Sequence, residues 1–443
     1  MGVQDCEKAS RALRPELSRR EVIKIAGSAG VALLGSSVAF AAPERRLRVG
    51  FISPRTGPLG EFGATDGYVL DLIRRSLADG FRIGEATYQI DILDRDTQSD
   101  PSRASQLAKG LIGTDKVDLM LATAAPETIN PVADACEAAG VPCVSTVMPW
   151  EAWYFGRGAK PGAPSPFRWS YHFGFGVDEI YKMYMSLWGD EVLKTNMKVG
   201  VLYPNDADGN AVRTMLAPRL SKQGFKIVDP GPYEDGTTDY SAQISLFKKE
   251  QCEIFNTFPI PPDFAAFWRQ AAQQGYTKTV KICQVAKTGL FPSGVEALGG
   301  LGINLSTASY WHKAFPYKSP LVRVSGAELA DGYEKATGKQ WTQQLGGTLS
   351  VFDAGFEALR AAKDPANKAD VAKSISTLQT TTVAGKVDFN SGPVPNVSAG
   401  PLVGSQWIKA TAGSKYKLDL VVTENATDPN VPIGGKLLPF NGK

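Results

Sequence analysis

Apolar and polar positions along the chain fall into a rhythm. Short β-branched runs are each followed by a breaker-rich loop and then by a stretch whose apolar residues recur at three and four. Residues 47–52 form the first run, and 53–63 carry Pro54, Gly57, Pro58 and Gly60. From Thr65 onward Tyr68, Val69, Leu72, Ile73 and Leu77 mark one buried helix face. This is strand, loop, helix, the opening unit of a parallel α/β sheet, and open sheets of this kind place ligands at the carboxyl ends of their strands. Further strands are predicted at 88–93, 117–122 and 141–145, with a helix opening at Pro101, where a missing N–H costs nothing. The order restarts at Lys198 with V-G-V-L-Y-P-N-D-A-D-G and continues through strands from Phe225, at 253–258 and at 280–285. Two half-chains of matching α/β order predict two lobes. Later segments predict a strand at 302–310, helices at 326–337, 349–362 and 371–378, strands at 405–409 and 418–422, and an extended surface tail over 423–443.

The rhythm breaks between Thr146 and Gly176. Ten aromatic residues, His172 included, lie between Trp150 and Phe175, with four prolines from Pro149 to Pro166. A linker of this composition needs something to bury its rings. The rings are expected at the mouth of a cleft between the lobes, or else as an insertion packed on the outside of one lobe.

At 443 residues, 43% hydrophobic and 21% charged, the chain is an ordinary globular sequence with room for more than one domain. Its first 41 residues stand apart. Ser18-Arg19-Arg20-Glu21-Val22-Ile23-Lys24 leads into a mild apolar run broken by Gly27, Gly30 and Gly35, and Ala39-Phe40-Ala41 offers small residues for cleavage near Ala41. This pattern predicts a cleaved twin-arginine export signal over residues 1–41, with a Sec-type signal as the alternative. Without that segment, 42 basic residues face 41 acidic ones, so there is no electrostatic case for nucleic acid.

Cys136, Cys143, Cys252 and Cys283 remain after cleavage, in a compartment where disulfides persist. Bridges Cys136–Cys143 and Cys252–Cys283 are both possible; four buried thiols acting as small hydrophobes are the alternative. There is no C-x-x-C, H-E-x-x-H, G-x-S-x-G, G-x-x-x-x-G-K-[ST] or G-x-G-x-x-G opening a helix, so no catalytic, metal or cofactor site is predicted. The two histidines, His172 and His312, are expected to pack or to hydrogen-bond a ligand. The acidic run from Asp94 to Asp100 lacks the glycine and distal glutamate of a calcium loop and is read as a polar loop before a helix.

The stretch V-G-x-I-x-P-x-T-G-P-L-x-x-x-G from Val49, the turn Asn205-Asp206-Ala207-Asp208-Gly209 and the turn Gly385-Lys386-Val387-Asp388-Phe389 together resemble the periplasmic solute-binding proteins of branched-chain amino acid type. The resemblance runs from about Leu47 to Lys409. It implies a type I binding-protein fold: two Rossmann-like α/β lobes with parallel sheets, joined by three crossovers. Lobe 1 is then expected at 47–168 plus 289–385 and lobe 2 at 169–288 plus 386–422, with hinges near Arg168, Lys287 and Gly385. It further implies a monomeric periplasmic receptor, not an enzyme, that closes on a small solute and delivers it to an ABC permease and ATPase complex. An exported enzyme on the same fold is the competing class.

Members that bind amino acids hold the carboxylate after the third and fourth strands and the ammonium with acidic and aromatic groups of the second lobe. The matching positions here are Thr123 and Ala125, then Val147, Met148 and Trp150, then Asn205 and Asp208. Lys287 stands where an acidic anchor is frequent. Phe62, His172, Phe173, Phe258, Tyr310 and Trp311 are expected to complete apolar and aromatic walls. These departures point to an apolar or aromatic carboxylate held by Lys287 and by N–H groups at helix starts, with a branched-chain amino acid as the alternative.

Overall fold

The computed structural model describes residues 45–440; the expected export signal lies outside them. The first sheet is built from β1 (Arg45–Ser53), β2 (Phe81–Ile83), β3 (Ala86–Asp96), β4 (Leu119–Ala122), β5 (Cys143–Thr146) and β6 (Ser170–Gly174). The second contains β7 (Lys198–Leu202), β8 (Lys226–Val228), β9 (Ile254–Thr257), β10 (Ile282–Val285) and β11 (Ser306–Ser309). A small hairpin pairs β12 (Gln379–Thr382) with β13 (Gly385–Asp388), and the chain ends through β14 (Val397–Ala399), β15 (Val403–Lys409) and β16 (Leu418–Glu424). The sheet orders are β14-β6-β5-β4-β1-β3-β2 and β16-β15-β11-β10-β9-β7-β8. Within them β1, β3, β4, β5, β6 and β14 run parallel, as do β7 to β11, while β2 is an antiparallel edge, β15 runs antiparallel to β11 and the edge strand β16 antiparallel to β15.

Sheet membership moves the crossings. Ser170–Gly174 pairs with β5, Ser145 opposite His172, and so belongs to the first sheet; the chain crosses after Gly174, not at Arg168. Its Tyr171-His172-Phe173 run is buried because it lies between β5 and β14. Ser306–Ser309 pairs with β10, so the segment from Gly289 to Ser309, expected in the first lobe, stays with the second. Trp407 Nε1 donates to the Gly289 carbonyl at 2.7 Å and holds it there. The third crossing follows β14, between Ala399 and Val403, beyond the Gly385 hairpin where a hinge was expected.

Beyond β16 the described tail is extended and mostly exposed, as expected, but it is anchored at several points. Val431 and Phe440 are buried, the Phe440 ring packs 5.3 Å from Trp268, and its N–H donates to the Lys281 carbonyl. Gln406 brackets Leu438 with both ends of its amide. The acidic run, expected as a loop, is not all loop, because Asp94 to Asp96 end β3; Asp94 pairs with Arg55 and Arg74, and Asp100 caps the helix Pro101–Gly113 through the Arg103 N–H. The four cysteines are free buried thiols, so neither possible bridge is formed; in this structure they fill space as small hydrophobes. Among the described residues no helix is long and apolar enough to cross a membrane, and no acidic, His or Cys cluster fits a metal ion.

Asp66, in the first turn of the helix Asp66–Ser76, joins three elements of the first lobe. Its two oxygens accept from Ser53 Oγ at the end of β1 (2.6 Å) and from Thr348 Oγ1 on the helix Gln344–Ala361 (2.7 Å). Burial pushes its carboxyl up to about 6, only partly offset by those hydroxyls. A carboxyl whose folded value lies above its unfolded one binds the proton more tightly when folded. Its stabilising effect is therefore complete below about 4 and is lost as pH rises to about 6, a loss of about 3 kcal/mol. Asp66→Asn, whose amide can still pair with two rotatable hydroxyls, should remove that part of the pH dependence; urea denaturation of both proteins at pH 4 and 6.5 checks it.

Candidate ligand-binding site

The carboxyl ends of both sheets face one cavity of about 600 Å³, open solvent included. Phe62 follows β1, Ala125 follows β4, and Val147, Met148 and Pro149 follow β5. From the second sheet come Asp208 after β7, Phe258 after β9, Ala286 and Lys287 after β10, and Ala308 and Tyr310 at β11. The crossings and the helix Val177–Val192 add Phe175, Ile180, Tyr184 and Leu402. The walls are apolar and aromatic: Phe62 meets Phe291 edge-on at 4.9 Å, Phe258 meets Tyr203 at 5.8 Å, and Phe175 stacks on Tyr310 at 6.2 Å.

Three non-glycine residues of this wall have left-handed backbones: Ala125 (φ 79°), Val147 (φ 76°) and Lys287 (φ 47°). Each sits just past a strand end, and for a β-branched valine the conformation is a true outlier. Strain of this kind persists where the surrounding structure over-determines it, and it clusters at binding sites.

The one charged end is built around Lys287. Its Nζ lies 2.5 Å from Asp206 Oδ2 and 3.1 Å from Asp208 Oδ2, and all three side chains are nearly inaccessible. Burial opposes the lysine's charge, but Asp206, Asp208 and Glu127 together hold it well above the usual lysine range. Glu127, on the other lobe in the first turn of the helix Pro126–Ala139, is pushed up to about 7 by burial and by the two aspartates, against Lys287. Lys287 is therefore no free cation awaiting a carboxylate, as the sequence reading had it. Asp206, which caps the helix Ala207–Met215 through the Gly209 N–H at 2.6 Å, takes most of it.

The structure brings Phe62, Ala125, Val147, Met148, Asp208, Phe258, Lys287 and Tyr310 to the cavity. The other expected site residues lie elsewhere. His172 is fully buried, bonded to Ser145 Oγ and the Met148 carbonyl and stacked on Trp153, and burial drives its ring down to about 3. It is a neutral core residue. Trp311 packs on the helix Gln344–Ala361, so close that a Cβ on Gly346 would sit 2.0 Å from its ring. Trp150 lies against Gly176, where a Cβ would meet its Nε1 at 2.0 Å, and its ring tilts on Phe155. The aromatic insertion as a whole packs on the first lobe, with Arg157 lodged between Trp153 and Phe167. Thr123 is buried behind the wall, and Asn205 is exposed, bonded to Glu234. Phe173 lines a smaller compartment on the hinge side, about 360 Å³, which shares Val147, Phe175 and Tyr310 with the main cavity.

Sequence reasoning missed Pro149, Phe175, Ile180, Tyr184, Ala286, Leu290, Ala308 and Leu402 as wall residues and Asp206 as the partner of Lys287. Phe175 and Asp206 stood inside patterns already singled out. Leu402 carried no signal, because only the third crossing brings it in.

The Periplasmic binding protein family profile matches residues 46–394. The chain belongs to the periplasmic binding protein family. Solved structures agree on the fold. A leucine binding protein LivK from Thermotoga maritima superposes with a TM-score of 0.67 at 17% identity, covering 86% of this chain and 99% of that one. LivJ from Streptococcus pneumoniae, in complex with isoleucine, gives 0.65 at 16%, covering 85% and 100%. An ABC transporter solute-binding protein from R. palustris, in complex with 4-hydroxybenzoate, gives 0.69 at 18%, covering 87% and 98%. No curated protein matches the chain. In this periplasmic binding protein the cavity lies between the carboxyl ends of the two sheets.

Breaking a buried ion pair by removing one partner is costlier than removing the whole group. Lys287→Met should lower the unfolding free energy by about 3–5 kcal/mol, and adding Asp208→Asn should recover part of the loss. Urea titrations of the single and double variants give the comparison.

Proposed function

We propose that this periplasmic binding protein is the solute receptor of an ABC importer and that its solute is an apolar or aromatic carboxylic acid. The observation that carries this is the cavity itself, enclosed by the carboxyl ends of both sheets and walled by Phe62, Phe175, Phe258, Tyr310, Ile180 and Leu290. Each ring face can add about 0.5–1.5 kcal/mol to a stacked aromatic beyond the area it buries. Lys287 is already shared by two aspartates, so the acid group is held by other donors. The Tyr310 hydroxyl is buried without a partner among the described groups. Relatives of this fold bind 4-hydroxybenzoate in one case and isoleucine in another, which supports an aromatic acid first and a branched-chain amino acid second. The acidic Asp208 in the wall is what favours the second reading.

The protein works by closing its lobes on the solute and presenting the closed form to a membrane permease and its ATPase; it acts as a monomer and turns nothing over. It reaches the periplasm through the twin-arginine pathway, with cleavage near Ala41.

Calorimetry tests the ligand class. Benzoate-type acids should bind more tightly than leucine, and Phe258→Ala should weaken them about tenfold; leucine binding the tighter would leave the branched-chain reading in place. Export has its own test. Replacing Arg19 and Arg20 together by lysine should leave precursor in the cytoplasm, and an unchanged periplasmic yield would assign the signal to the Sec route.

A further inference from the structure

The charged end of the cavity leaves two carboxyl oxygens without partners among the described groups, Asp208 Oδ1 in the wall and Glu127 Oε2 on the other lobe. Asp208 sits in the first turn of the helix Ala207–Met215, 4% exposed and part of the cavity wall. Its Oδ2 lies 3.1 Å from Lys287 Nζ, whereas Oδ1 is buried with no hydrogen-bond partner among the described groups. A carboxylate only accepts, and the other side chains of the cavity wall are apolar apart from Lys287, Tyr184 and Tyr310. Two of the three Lys287 N–H donors are directed at Asp206 (2.5 Å) and Asp208 (3.1 Å), and Asp206 is itself fixed by the Gly209 N–H. A carboxylate entering here would meet Asp206, Asp208 and, from the other lobe, Glu127, around one lysine already shared.

We infer that this site selects solutes whose apolar body carries a hydrogen-bond donor, a hydroxyl or an ammonium, which Asp208 Oδ1 accepts. Lys287 is then a positioning residue that fixes the Asp208 carboxylate and not a partner for the solute's own charge. The inference rests on the receptor reading above and narrows it. A solute without the donor leaves a buried acceptor unpaired, and sites built around such a group reject the analogue that lacks it.

The test uses the exported protein and three matched pairs: 4-hydroxybenzoate with benzoate, leucine with 4-methylpentanoate, and phenol with anisole, the last pair free of any acid. Affinities come from calorimetry, or from thermal shift for the weak pair. The donor-bearing member of at least one pair should bind tenfold more tightly or better, and Asp208→Ala should bring that ratio below about threefold. Asp208→Asn, which keeps an acceptor oxygen but no charge, should retain a preference for hydroxyl and lose one for ammonium, so it tells which donor the site reads. Lys287→Met should weaken the donor-bearing member selectively; an equal loss for benzoate would make Lys287 the solute's own partner and overturn its positioning role. Pairs that bind equally within threefold, or a ratio that survives Asp208→Ala, overturn the inference while leaving the receptor reading intact. Phenol preferred over anisole with no acid bound keeps the inference and removes the acid. Binding of none of the six removes both.

Discussion

A parallel strand cannot be followed directly by its neighbour; the chain must travel back over the sheet before the next strand begins. Everything at the binding site follows from that constraint. Each return path leaves a loop at the carboxyl edge, so each lobe carries a row of short loops along one edge and none is free to settle elsewhere. The three crossings turn the two edges toward each other, and Phe62, Val147, Phe258 and Tyr310 meet across the gap although as many as 248 positions separate them in sequence. The left-handed backbones of Ala125, Val147 and Lys287 are the local cost of that arrangement. They occur where a strand must stop abruptly and present its next residue to the cavity.

How much of this could be read from the sequence depended on the range of the signal. The strand–loop–helix rhythm is local, so both sheets and the strand-end loops were legible, and eight of the expected site residues do face the cavity. Sheet membership is not local. Ser170–Gly174 and Ser306–Ser309 look like strands in any context, and only their pairing with β5 and β10 decides which lobe owns them. The aromatic run between Trp150 and Phe175 misled for a related reason. Rings at a crossing look like a binding wall, yet Trp150, His172 and Trp153 pack inward on the first lobe, and Phe175 alone of the run lines the main cavity. Charge was the least legible property. Lys287 reads as a cation from its own letter, and nothing in the spacing of Asp206 and Asp208, some eighty positions earlier, says that both carboxylates will close on it.

The charged cluster also sets the chemical temper of an otherwise oily cavity. Two aspartates and a lysine within hydrogen-bond reach form an almost self-satisfied group, so the cavity has polarity without an open cation. Glu127, reaching in from the other lobe with a carboxyl pushed up to about 7, ties that group to the relative position of the lobes. Its proton affinity is set by its own burial and by Lys287, Asp206 and Asp208 across the cleft.

The anchoring of Phe440 has a practical meaning. Phe440 is pinned by its N–H to the Lys281 carbonyl, the residue that precedes β10, and by its ring to Trp268. Lys287, at the cavity, lies beyond the opposite end of that same strand. Four residues of extended chain put roughly 13 Å of sheet between the two. A fluorophore, a solid support or a fused reporter attached after Phe440 would therefore leave from the far side of the second lobe. It would stand clear of the cavity, which makes that face of the second lobe the natural place to carry a reporter.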